Sequence, residues 1–243
     1  MQLRRFRWMS CALGAAVMFL FSACGSGATS PKELRRLAGS SEAVGARERT
    51  EGRLRGVVRA YADRTPLTLG LVEVRDNCKG GAAKEWFFQD GDDAVKINCS
   101  VSVTAYYGAD PHRMGDVLEG ILSEGDNAQS LVPFGHGDYR RKLVSYYRGH
   151  ESNPLGAQAP EPAELSDRDQ TLSWDSVRDK SPGRVIGEPE EWLLPQDPPV
   201  SRYLREPEAA TVAGIRDRYG MMFRLELHAG YYRMFKDEKT KNL

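Results

Sequence analysis

Four cysteines and four histidines are the residues of this 243-residue chain best suited to form a covalent bond, hold a metal or move a proton. They are Cys11, Cys24, Cys78 and Cys99, with His112, His136, His150 and His228. Their spacing gives no zinc pattern: no Cys-x-x-Cys pair and no His-x-x-x-His pair occurs. A Gly-x-Ser-x-Gly elbow, a P-loop and a dinucleotide-binding glycine fingerprint are also missing. His150 stands two residues from Ser152, but catalytic serine and histidine meet through the fold rather than the sequence, so adjacency carries little weight. Gly135-His136-Gly137-Asp138 reads as a glycine-rich turn. Asp90, Asp92 and Asp93 lack the longer loop and terminal glutamate of a calcium-binding EF-hand and read as an acidic turn. The motifs therefore name no catalytic residue, metal or cofactor.

The cysteines point elsewhere. Arg4, Arg5 and Arg7 precede an uncharged, mostly apolar run over residues 9–23. That run is shorter than the roughly 20 apolar residues of a comfortable bilayer crossing, and a basic start before a short apolar core has the form of a secretory signal. It ends in Phe21-Ser22-Ala23-Cys24. These four residues resemble the lipobox of bacterial lipoproteins, with Phe21 standing where that family usually has an aliphatic residue. The resemblance covers the first tenth of the chain. It implies cleavage before Cys24 and a diacylglyceryl thioether on its sulfur, because a thiolate attacks where a hydroxyl would not. Two acyl chains anchor stably where one binds only marginally. The implied place is the extracytoplasmic face of the cell membrane. Arg4-Arg5 leaves Sec and twin-arginine export both open. Residues 24–30, rich in Gly and Ser, read as a short flexible tether.

Without residues 1–23 the chain loses three arginines and no acid, leaving 31 basic against 34 acidic residues. No basic excess is present to bind nucleic acid. Hydrophobic residues make up 40% of the chain, enough for a core. Arginine far outnumbers lysine, a composition that resembles proteins of GC-rich bacteria such as actinobacteria. In an exported chain, the pair Cys78 and Cys99 reads as a disulfide.

The elements that must position these residues follow from periodicity. Ser30-Pro31 and Glu33 open a helix with a capping box, and one long or broken helix is expected over 31–64. A strand over 67–78 changes phase near Gly70, which marks a β-bulge. Residues 85–89 read as a short middle strand, 90–93 as a turn, and 94–107 as the clearest strand, alternating throughout. Such an antiparallel meander brings the two sulfurs together. Asp110-Pro111 opens an amphipathic helix, with Gly125 expected at its C′ position. A strand is expected over 142–148, a Pro-rich loop or linker over 149–169, a strand over 171–177 and an irregular stretch over 178–200 anchored by Trp192-Leu193-Leu194. A last helix is expected from Glu206-Pro207 to Gly220, then a strand over 221–235 and a charged tail over 237–243.

The fold class is therefore α+β: an antiparallel sheet with helices packed on one face and one intradomain disulfide. Residues 31–148 form a helix plus a meander-helix unit, and 170–236 a strand-helix-strand part of the same or a second domain. Paired aromatics at Tyr106-Tyr107, Tyr146-Tyr147 and Tyr231-Tyr232 suggest an outward tyrosine surface, although tyrosine also simply suits strands. Three readings of function follow. The first is a non-enzymatic, lipid-anchored binding, sensing or assembly module, its partners the membrane and an envelope protein or glycan. The second is an anchored hydrolase, which would need a concave pocket grouping His with Ser, Asp or Glu. The third is a small-ligand carrier, which would need an apolar cavity between sheet and helices.

Overall fold

The structure, a computed structural model, describes residues 28–81, 95–178, 184–189 and 200–236 and the backbone of 240–241. The signal-like segment with Cys24, the expected middle strand and acidic turn, and Trp192-Leu193-Leu194 lie outside these residues.

The helical start is broken in two. Helix α1 covers Pro31–Ala38 and α2 covers Ser41–Arg64. Ser30 and Ser40 each cap the helix that follows, their hydroxyls accepting from the N–H groups of Glu33 and Ala43 at 3.3 Å. Strand β1, Thr68–Gly80, then pairs antiparallel with β2, Val95–Ala109. Their register slips between Leu69 and Leu71, the bulge expected at Gly70. Pairing is continuous beyond it, so β1 and β2 are direct neighbours in the sheet, where the expected meander would have set a third strand beside them. Cys78 stands opposite Cys99, and the two form a disulfide with Cα atoms 4.1 Å apart.

After a 3-10 turn capped by Asp110 come α3, Met114–Gly125, and α4, Asp138–Tyr147. Gly125 is the last residue of α3 rather than its C′ residue; a Cβ there would come within 2.4 Å of the Phe134 backbone, so this glycine permits a close chain approach. The strand expected over 142–148 is a helix instead. Leu143, Val144 and Tyr147 recur as i, i+1 and i+4, which fits a helical face as well as a strand over so short a stretch.

The rest of the sheet comes from β3, Glu164–Ser166; β4, Gln170–Trp174; β5, Val200–Glu206; β6, Met221–Phe235; and β7, Thr240–Lys241. The order is β3-β4-β6-β2-β1-β5, all antiparallel, with β7 on β6. Strand β5 fills the gap between the stretch read as irregular, which ends at 200, and the helix expected from Glu206, in residues with no expected element; its inward positions include Arg202 and Glu206, which hide the apolar alternation. The last helix, α5, begins only at Val212 and runs to Tyr219, capped by Thr211 and ended by Gly220 at φ +99°.

The α+β class with an antiparallel sheet and one disulfide is thus what the chain adopts. Helices α1–α4 enclose one core with the inward face: Val74, Cys99, Val101, Val103, Tyr107, Leu225 and Leu227 against Leu54, Val58, Leu118 and Ile121. Helix α5 lies on the opposite face at one end, over Leu71, Tyr106 and Met222. It fits there because Gly70 and Gly108 lack side chains; a Cβ at Gly108 would come within 2.2 Å of Tyr219. The buried Asp175 carboxylate fixes this corner, accepting from the N–H groups of Ile186 at 2.7 Å and Met222 at 2.9 Å and from Arg216. Among the described residues no helix is long and apolar enough to cross a membrane.

Candidate functional site

Beyond α5 the outer sheet face is polar, and among the described residues no further element covers it. There β2, β6 and β4 lie side by side, and their period of two turns Ser102, Thr104, Glu226, His228 and Thr171 outward. Ser102 stands opposite His228, and Glu226 lies between Thr104 and Thr171. With Arg168 and Asp169 from the β3–β4 turn they line a groove of about 370 Å³. The Ser102 hydroxyl lies 2.9 Å from His228 Nδ1. Arg224 Nη2 approaches Glu226 at 3.2 Å. Gln170, which also borders the groove, turns its side chain the other way: it accepts from the Tyr61 hydroxyl at 3.0 Å and donates to the Leu131 carbonyl at 2.8 Å.

This groove groups a histidine with a serine and two carboxylates, as the hydrolase reading requires. The geometry supplies the pair but not the rest. Among the described residues, no carboxylate meets the other nitrogen of His228, so nothing orients the imidazole as a triad base. The floor consists of strands flanked on both sides, and their N–H groups are engaged in the ladders; an oxyanion hole needs such donors free. What remains is a set of hydroxyl, carboxylate, guanidinium and imidazole groups that can exchange hydrogen bonds with a polar ligand.

The other histidines fall elsewhere. His112 and His150 are exposed. His136 does more than mark a turn: its Nδ1 lies 2.5 Å from Asp126 and its Nε2 3.2 Å from Glu119. Its side chain and its backbone N–H both bond Asp126, which holds that carboxyl below the usual carboxylate range. This cluster ties the α3–α4 connection to α3. Among the described residues, no group of three His, Cys, Asp or Glu is placed to hold a metal.

The tyrosine surface does not form. Tyr106 is covered by α5, Tyr107 is in the core, and Tyr146 and Tyr147 sit on α4. Tyr231 and Tyr232 both turn inward because β6 slips register opposite Cys99 and Ser100.

Sequence reasoning missed a second polar cluster, on the helix-covered face. Asp76 follows Val74 on that face and is 4% exposed. It accepts from the Tyr231 hydroxyl at 2.7 Å and lies 3.7 Å from Arg47 and 3.9 Å from Arg202. Burial pushes its carboxyl pKa up, only partly offset by the Tyr231 hydrogen bond and the two arginines. Glu51 joins Arg202 and Arg55, and Arg55 reaches Glu206 at 2.7 Å. The Tyr231 hydroxyl also lies 3.3 Å from Cys78 Sγ. The cluster fastens α2 and β5 to the sheet beside the disulfide. A charge at an inward strand position was the signal that could have shown it.

No protein-family model, curated protein or solved structure matches this chain.

Proposed function

We propose that the chain is a non-enzymatic, lipid-anchored module of the cell envelope, held to the extracytoplasmic face of the membrane through diacylglyceryl-Cys24. It binds a hydroxyl-rich ligand, a glycan, in the groove on the open face of its sheet. The anchor is supported by the basic segment, the apolar run and the resemblance of residues 21–24 to a lipobox. The observation that carries the binding role is the groove itself: Ser102, Thr104, Thr171, Asp169, Glu226 and His228 converge in one concavity. Polar donors and acceptors in such a cleft favour oriented hydrogen bonding over apolar capture.

Two measurements test this reading. Cys24→Ala should leave the chain unprocessed and unacylated; normal acyl labelling of that variant would refute the anchor. Titration with solubilised cell-wall glycan fragments should show binding that Glu226→Gln and Ser102→Ala weaken; binding unchanged in both would refute the groove.

A second reading, an anchored hydrolase, is favoured by the 2.9 Å contact between Ser102 and His228. It predicts that an activated-serine reagent labels Ser102 and that His228→Ala abolishes labelling. The carrier reading has no comparable support, since the space between sheet and helices is filled by side chains such as Tyr107, Leu118 and Ile121, all fully buried.

A further inference from the structure

The chain enters the fold at one end of the sheet. Thr29 donates its hydroxyl to the Lys96 carbonyl, and Ser30 caps α1. Glu33, one turn on, meets Lys96 Nζ at 2.9 Å. A Cβ on Gly80 would lie 3.2 Å from the Thr29 side chain. The end where β1 finishes and β2 begins is therefore the end from which the chain leaves toward Cys24.

We propose that this end of the sheet rests against the anionic phospholipid headgroups of the anchoring membrane. The proposal rests on the lipid-anchor reading above and adds the orientation and the surface to it. Two observations carry it.

The first is reach. Four residues lie between Cys24 and Thr29, and the five steps from one to the other span at most about 18 Å when fully extended. Strand β2 has 15 residues and so carries its far end, at Ala109, about 45 Å away. With Thr29 docked, the end near Lys96 is held at the membrane and the end bearing Asp110 and His112 points away.

The second is charge. Of the five lysines whose side chains are described, Lys32, Lys79, Lys96 and Lys236 belong to the anchored end, at the first turn of α1, the close of β1, the start of β2 and just past the close of β6; the fifth, Lys142, lies on α4. Lys32 and Lys79 are exposed, while Lys96 shares its charge with Glu33. Lysines near a leaflet of anionic lipid are attracted to it within about a Debye length. Ser102 is six residues along β2 from Lys96, so the groove opens about 20 Å from the anchored end, clear of the headgroups.

The test uses the full chain in membranes of a bacterial host, with a fluorescent unnatural amino acid at Asn98, which pairs with Lys79, or at His112. Lipids bearing a paramagnetic headgroup quencher are then added. The Asn98 probe should lose most of its emission and the His112 probe should keep it. Equal quenching at both, or stronger quenching at His112, overturns the orientation. Lys32→Glu with Lys79→Glu should relieve quenching at Asn98, as should added salt; quenching that ignores both overturns the headgroup contact. Acyl labelling of the same membranes keeps the two readings apart. An unacylated chain quenched at Asn98 retains the orientation and loses the anchor, whereas an acylated chain quenched at His112 does the reverse.

Discussion

The two faces of the sheet are made by the same strands and differ in almost every inward and outward residue. On the covered face β2 contributes Ile97, Val101, Val103, Ala105 and Tyr107, and on the open face Asn98, Ser100, Ser102 and Thr104. Each face also holds an island of the other's chemistry. Asp76 sits among the valines of the covered face, and Leu71, Tyr106 and Met222 form an apolar patch on the open face under α5. A uniformly polar open face would need only solvent. The islands teach more, because each required a local device: a ring of arginines and a tyrosine hydroxyl around Asp76, and two glycines that let α5 approach.

The largest expected effect contrasts the faces directly. Leu118, fully buried, loses burial and leaves a cavity on Leu118→Ala, a cost of about 2–5 kcal/mol. Thr104→Ala on the open face should stay within about 0.5 kcal/mol. Urea unfolding of the two variants measures the difference; similar midpoints would mean that the open face is packed against something that covers it.

Next comes the charged island. Asp76→Ala leaves the buried Tyr231 hydroxyl without its acceptor and Arg47 without its ion-pair partner, and should cost about 2–3 kcal/mol. Asp76→Asn keeps an acceptor and should cost less. The pH dependence sharpens this. Because the Asp76 carboxyl is raised in the fold, the native chain holds its proton where the unfolded chain has released it. Its contribution to stability is therefore full below the ordinary aspartate range, near about 4, and is lost as pH rises through the raised value. Glu51 runs the other way. Desolvation opposes its ionisation, but hydrogen bonds from Arg55 and Arg202 outweigh that and lower its pKa, so its contribution is present above its ordinary range and lost on acidification. The wild type compared with Asp76→Asn isolates the first effect: only the wild type should gain stability as pH falls through the window. Parallel pH profiles would place the Asp76 charge in a solvated site.

The apolar island yields a smaller, reversible effect. Gly108→Ala drives a methyl group into Tyr219 and should cost about 1–3 kcal/mol. Tyr219→Ala in the same chain should recover part of it. Two additive losses in this double-mutant cycle would show that α5 does not press on β2.

These islands also mark where the sequence is legible. The alternation of β2 and β6 is long enough to give strand, face and disulfide partner, since Cys78 and Cys99 fall on the covered face with their neighbours. Near Gly70 the phase change shows the bulge. Short segments fail. Around Leu143 the apolar spacing serves helix and strand equally, and in β5 the charges of Arg202 and Glu206 hide the pattern because their partners, Glu51 and Arg55, lie some 150 residues away on α2. The candidate site is harder still. Ser102 and His228 are 126 residues apart, and only the β2–β6 register sets them opposite each other. His228 could be placed on a polar strand face from alternation, but nothing local shows that Ser102, Thr171 and Asp169 share its groove.

The smallest expected effect on stability is also the sharpest test of what the open face is for. Ser102 and His228 are paired across two strands whose backbones are already satisfied. Cross-strand pairs of this kind contribute roughly 0.2–1 kcal/mol. Ser102→Ala should therefore shift the urea midpoint little and leave the fold intact. If the groove is a binding site, the same substitution should remove a hydrogen bond from the complex and weaken glycan binding by about fivefold to tenfold, the equivalent of roughly 1–1.4 kcal/mol. Calorimetric titration beside unfolding of the same protein separates the two quantities. A variant that unfolds like wild type and binds like wild type would leave the open face as a solvated surface, and the difference between the two faces would then concern only which side of the sheet was covered.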